Sequence, residues 1–81
     1  MPSKHFLRDH VRRALQEYFA SLEDASPTGI YNLVLAEVEA PLLETVMKQT
    51  KGNQSLAALW LGLNRGTLRK LLAKYGLLNA E

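Results

Sequence analysis

The sequence predicts an all-α fold: four helices per chain, the first two covered by a second copy and the last two forming a helix-turn-helix. Three observations point there. Apolar residues near the N-terminus recur with a helical period, and the next segment is apolar around most of a helix's circumference. Finally, residues 45–80 hold six Lys or Arg and no Asp or Glu, around a glycine turn.

Leu7, Val11, Ala14, Leu15, Tyr18, Phe19 and Leu22 fall on one helical stripe, with Arg8, Arg12, Arg13, Gln16 and Glu17 on other faces, so the first helix is amphipathic. The following EDASPTG breaks the pattern with Ser, Pro and Gly; Ser26 is a candidate cap for the next helix and Pro27 a candidate first-turn residue. The second helix is expected from about Ile30 to about Thr50. Its first half carries Ile30, Tyr31, Leu33, Val34, Leu35, Ala36 and Val38, and a helix apolar on most sides must be buried on most sides. Two long and two short helices cannot enclose it, so a second copy about a two-fold axis is expected to cover the rest. Leu15, Tyr18, Phe19, Ile30, Leu33, Val34 and Val38 are the expected dimer core.

Pro41 interrupts this helix, where it removes a hydrogen bond at a cost of about 3 kcal/mol in an ordinary helix. The pattern resumes at Leu42, Leu43, Val46 and Met47 without a polar loop, which favours a bend over a stop. Gly52 is placed to end the helix in the left-handed conformation, and Asn53 to Ser55 to cap a third helix of roughly Leu56 to Leu61. Gly62 then makes a turn, Leu63 plugs the core, Asn64 caps a fourth helix, and Gly76 ends it after Tyr75.

Eighty-one residues suit a single domain, 1–81, with dimerisation helices over 6–50 and a helix-turn-helix unit over 53–76. So small a core needs reinforcement, and the chain has no cysteine for disulfides. His5 and His10 lack the i, i+4 spacing of two ligands on one helix face, so no metal is expected and oligomerisation is the remaining support. No apolar run approaches the roughly 20 residues that cross a bilayer, and charges run through MPSKHFLRDHVRR where a signal peptide would be apolar. Glu37, Glu39 and Glu44 have no nucleophile, histidine or glycine-rich loop beside them and read as a solvated helix face. No enzyme activity, cofactor, small-molecule substrate or membrane partner is expected, and the lack of cysteine is compatible with a reducing cytosol.

A helix-turn-helix needs a small residue where its helices cross, a turn residue tolerant of positive φ, and apolar residues flanking the turn and lining the second helix. Ala58 supplies the first, Gly62 the second, and Leu61, Leu63 and Leu68 with Leu71 or Leu72 the third. Arg65, Thr67, Arg69, Lys70 and Lys74 then face outward, with donors long enough for base edges or phosphates in a major groove. A four-helix domain with a glycine turn and a merely solvated last helix is the alternative. The charge division favours DNA: residues 1–44 carry four basic against seven acidic side chains, whereas residues 45–80 are wholly basic. Trp60, near Leu56, Leu59 and Leu61, reads as core or dimer-flank packing, and Tyr75 continues the Leu68, Leu71, Leu72 face.

From Phe6 to Gly76 the chain resembles the Fis family of bacterial nucleoid proteins, through LVLAEVEAPLLETVMKQTKGNQ followed by NRGTLRK and KYG, with no gap needed. That resemblance implies a homodimer whose first two helices intertwine as a four-helix core with a helix-turn-helix at each end, binding double-stranded DNA at degenerate sites and bending it. It implies a cytoplasmic, nucleoid location, with RNA polymerase as a candidate partner. Asn64 and Arg65 match the pair that touches base edges, and Arg65 suits a bidentate contact with guanine. Asn53, Gln54, Ser55, Thr67, Arg69, Lys70 and Lys74 match positions that hold or adjoin phosphates. Asn64 and Ser55 also suit helix caps, and both roles can coexist.

Leu56, Leu71 and Ala73 stand where the family's well-known member has basic residues, which implies fewer phosphate contacts and a shallower salt dependence. Relatives that activate DNA invertases carry a β-hairpin arm ahead of the first helix; MPSKH is too short for one, so no invertase stimulation is expected. Two alternatives remain. The chain could be the C-terminal output domain of a larger activator, or a helical protein-interaction dimer.

Overall fold

A computed structural model describes residues 6–78. Residues 1–5, on which the expectation of no β-hairpin arm rests, lie outside them. The chain folds into four helices, α1 (Phe6–Ser21), α2 (Ile30–Gln49), α3 (Gln54–Leu61) and α4 (Arg65–Lys74), with no strand among the described residues. The all-α reading holds. The chain divides after Ile30 into two compact units.

The first unit is α1 and its loop. The stripe predicted for α1 is half-buried at Val11, Leu15 and Tyr18, yet no residue of this helix is fully buried, and Phe19 remains 49% exposed. Its one ion pair, Arg12 Nη1 to Asp9 Oδ1 at 2.9 Å, is solvent-exposed and so contributes little. Beyond Ser21 the helix gives way at Glu23, which takes a left-handed φ of 56°. Ser26 and Pro27 lie in the loop and neither caps nor begins α2. Gly29, at φ 66°, breaks any helical path from Pro27, so α2 starts only at Ile30.

The second unit owes its order to the later part of α2. This 20-residue helix passes through Pro41 without a stop. Its only fully buried apolar residues, Leu43 and Met47, lie four apart on one face, where they join Ala57 and Ala58 of α3 with Leu68 and Leu72 of α4. The two alanines allow close approach of α3, and the leucines fill the space between. Val46, Leu61, Leu71, Tyr75, Leu77 and Leu78 seal the edge. Thr50, also buried, donates its hydroxyl to the Val46 carbonyl at 2.9 Å and is thereby satisfied.

The earlier part of α2 differs. Ile30, Val34 and Val38 are half-buried, Leu33 is 45% exposed and Tyr31 76%. None of the seven residues read as dimer core is buried within one chain. Trp60 departs from the core reading, because Ala57, Ala58 and Leu61 occupy the inner face of α3. Trp60 and Leu59 point the other way, 56% and 75% exposed.

α2, α3 and α4 end by the same device. In each, the N–H two residues beyond the cap returns to a carbonyl five residues back, and the preceding N–H returns three residues back. For α3 these bonds are Leu63 to Ala58 at 2.9 Å and Gly62 to Leu59 at 3.2 Å; for α4 they are Leu77 to Leu72 at 2.7 Å and Gly76 to Ala73 at 3.1 Å. Gly62 and Gly76 supply the left-handed residue, as read from the sequence. At α2 the pair is Gly52 to Met47 at 2.9 Å and Lys51 to Lys48 at 3.1 Å, so the closing left-handed residue is Lys51, at φ 55°. Gly52, expected in that role, follows at φ 81° and continues the reversal into α3.

A side chain in the left-handed region costs about 1 kcal/mol or more, which glycine avoids. Lys51→Gly is therefore expected to raise the unfolding free energy by about 0.5–1 kcal/mol, measured by urea denaturation. Gly62→Ala should lower it by a similar amount from backbone strain alone, since an added methyl meets open space there.

Candidate nucleic-acid interface

The turn between α3 and α4 is built by two asparagines. Asn53, in extended conformation, accepts the Leu56 N–H on Oδ1 at 3.0 Å and caps α3, which starts at Gln54 rather than Leu56. Ser55 therefore sits in the first turn, exposed, and is not the cap. Asn64 caps α4 as expected, accepting the Gly66 N–H at 2.7 Å. So short a bond needs room: a Cβ added at Gly66 would lie 3.1 Å from Asn64 Oδ1. The sequence reasoning missed Gly66, although the Asn-Arg-Gly run that opens the helix carried the signal.

α4 has two faces. Leu68 and Leu72 are fully buried with Leu71 and Tyr75 beside them, while Arg65, Thr67, Arg69, Lys70 and Lys74 are exposed around the rest of the helix. Asn64 is exposed at its N-terminal end. The only ion pair among the described residues is Arg12–Asp9, so no carboxylate neutralises the α4 cations. Their combined field makes an anion-attracting surface. Leu71 has a packing reason to be apolar at the core edge, Leu56 is half-buried, and Ala73 is exposed.

Two side-chain links cross this unit. Arg69 Nη1 donates to Gln54 Oε1 at 3.0 Å, which sets the guanidinium beside the N-terminus of α3. The N-terminal end of a helix carries positive character of its own. Gln54, expected within the capping stretch and at phosphates, also orients Arg69. Tyr75 Oη donates to Glu39 Oε1 at 2.6 Å, and Lys74 Nζ stands 5.3 Å from the Tyr75 ring centre. The hydrogen bond to Glu39, with burial and the carboxylate's charge behind it, pushes the Tyr75 phenol above its ordinary range. Glu37 and Glu44 are solvated as read, but Glu39 is half-buried and bonded, a correction that 36 residues of separation hid from the sequence.

The family described as "Bacterial regulatory protein, Fis family" matches residues 34–75. A Fis-like DNA-binding protein of Pseudomonas aeruginosa is 64% identical over 72 residues, 89% of this chain and 69% of that protein. DNA-binding protein Fis of Yersinia enterocolitica is 59% identical over 71 residues, 88% of this chain and 72% of that protein. The same figures hold for DNA-binding protein Fis of Enterobacter sp. strain 638.

Because Asn64 caps α4 whatever else it touches, Asn64→Ala is expected to cost about 1 kcal/mol of unfolding free energy, and Asn64→Asp close to none. Urea denaturation of the two variants side by side checks this.

Proposed function

Since this chain belongs to the Fis family of bacterial regulatory proteins, we propose that it is a homodimeric, sequence-tolerant DNA-binding and DNA-bending protein of the bacterial nucleoid. In that role it modulates transcription and chromosome organisation. The observation that carries the reading is the outer face of α4, whose four cations are exposed and paired with no acid among the described residues.

With α4 in a major groove, Arg65 presents two donors to the O6 and N7 of a guanine, and Asn64 reaches the neighbouring base edge. Thr67, Arg69, Lys70 and Lys74 meet phosphates, with Asn53, Gln54 and Ser55 beside them at the start of α3. Phosphate contacts hold the register, whereas base contacts select the sequence. With only two residues at base edges, selectivity is modest. The half-covered apolar residues of α1 and early α2 are buried against a second copy, which places two recognition helices on one duplex. Bending follows when their separation is shorter than consecutive major grooves of straight DNA allow.

Gel shifts of a short duplex with a guanine near each end test the reading. Arg65→Ala is expected to lose about 1–3 kcal/mol of binding and relax the preference at the guanine, whereas Lys70→Ala weakens all duplexes equally and lowers the salt slope by about one. Asn64→Asp should weaken binding while leaving the fold intact. Absence of any shift at low salt contradicts the proposal and favours a protein-interaction dimer.

A further inference from the structure

α4 touches the rest of its unit in two ways. Leu68 and Leu72 sit in the apolar cluster with Leu43 and Met47, and such burial is non-directional: it fixes a distance but resists rotation weakly. Direction comes from hydrogen bonds. Arg69 ties α4 to α3, and Tyr75, at the C-cap of α4, ties it to Glu39 of α2. The second is the one side-chain hydrogen bond between α4 and α2 among the described residues, and it joins the far end of the recognition helix to the part of α2 that precedes Pro41.

We propose that the Glu39–Tyr75 hydrogen bond is a positioning link that sets the angle of α4 on α2, and through it the half-site spacing and the bend of the bound DNA. The inference rests on the dimeric DNA-binding reading above. In a two-fold dimer joined through α2, a rotation of α4 in one chain is repeated in the other, so a small change in this angle doubles in the separation of the recognition helices. Bases and phosphates are contacted by other residues. The link therefore acts on which duplex geometry fits, not on the strength of each contact. Lys74, adjacent in sequence, lies over the Tyr75 ring.

The test uses Tyr75→Phe, which keeps the ring and removes the donor, with Glu39→Ala, which removes the acceptor, and Glu39→Gln, which keeps an acceptor oxygen without charge. Affinity is measured on duplexes whose half-sites are moved apart one base pair at a time, and bending on circularly permuted fragments. Thermal melting is followed in parallel. For Tyr75→Phe and Glu39→Ala we expect about a three- to tenfold loss on the spacing the unmodified protein prefers. Binding should be recovered at an adjacent spacing, with a shifted bend, and Glu39→Gln should restore the original profile. An unchanged profile in Tyr75→Phe, a Glu39→Gln that fails to restore it, or a uniform loss on all spacings that follows melting overturns the link. If the unmodified chain binds no duplex, the functional reading falls and the link with it; if it binds and bends while the variants match it, the link alone falls.

Discussion

The structure turns on the burial of α2, which one chain completes only over the helix's later part. From Leu43 to Met47 the helix is enclosed by α3 and α4, and from Ile30 to Val38 it is apolar but at most half-covered. Each large apolar side chain taken fully out of water contributes about 1.5–3 kcal/mol, so leaving this stretch and the α1 stripe uncovered would forgo the largest source of stability available. The six buried apolar residues among the described ones make a small core for one chain. A second copy fits the deficit, since its own α1 and α2 carry the same uncovered residues and a two-fold axis brings like faces together. In the proposed dimer one helix serves both purposes: its N-terminal part would join chains, and its C-terminal part carries the helix-turn-helix.

That arrangement lets the DNA-facing unit be small. α3 and α4 have 8 and 10 residues, lengths at which isolated helices are marginal in water. Their order comes from tertiary contacts and from their ends: asparagine caps at both N-termini, and paired return hydrogen bonds at both C-termini. Because the inner face of α4 needs only leucines and Tyr75, its outer face can be given over to cations. Intramolecular acids would neutralise that face, and none reaches it among the described residues.

Much of this was legible in the chain. The approximate span of α2, the turn at Gly62, the cap at Asn64 and the stop at Gly76 rest on local chemistry that periodicity and residue type reveal, whereas the residues that lead into and close α2 differ from those expected. The start of α3 was misplaced because Asn53, Gln54 and Ser55 offer overlapping polar signals, and the cap is settled only by which oxygen meets the Leu56 N–H. Lys51 was missed because its neighbour Gly52 carries the stronger intrinsic preference, and nothing local says that both adopt positive φ. For Trp60 the leucines around it suggest core or dimer-flank packing. Within one chain it is not core, because the inner face of α3 belongs to Ala57 and Ala58, and the dimer-flank role is left to a second copy. Arg69–Gln54 and Tyr75–Glu39 depend on tertiary placement, to which a sequence pattern is blind. At the site, residue types identified which side chains face outward; which of them hold each other was not readable.

The burial of early α2 by a second copy is tested most directly by sedimentation equilibrium together with thermal melting over a range of protein concentrations. The account predicts a dimer mass and a melting midpoint that rises with concentration, because folding and association share one core. A folded monomer with a concentration-independent midpoint would contradict it.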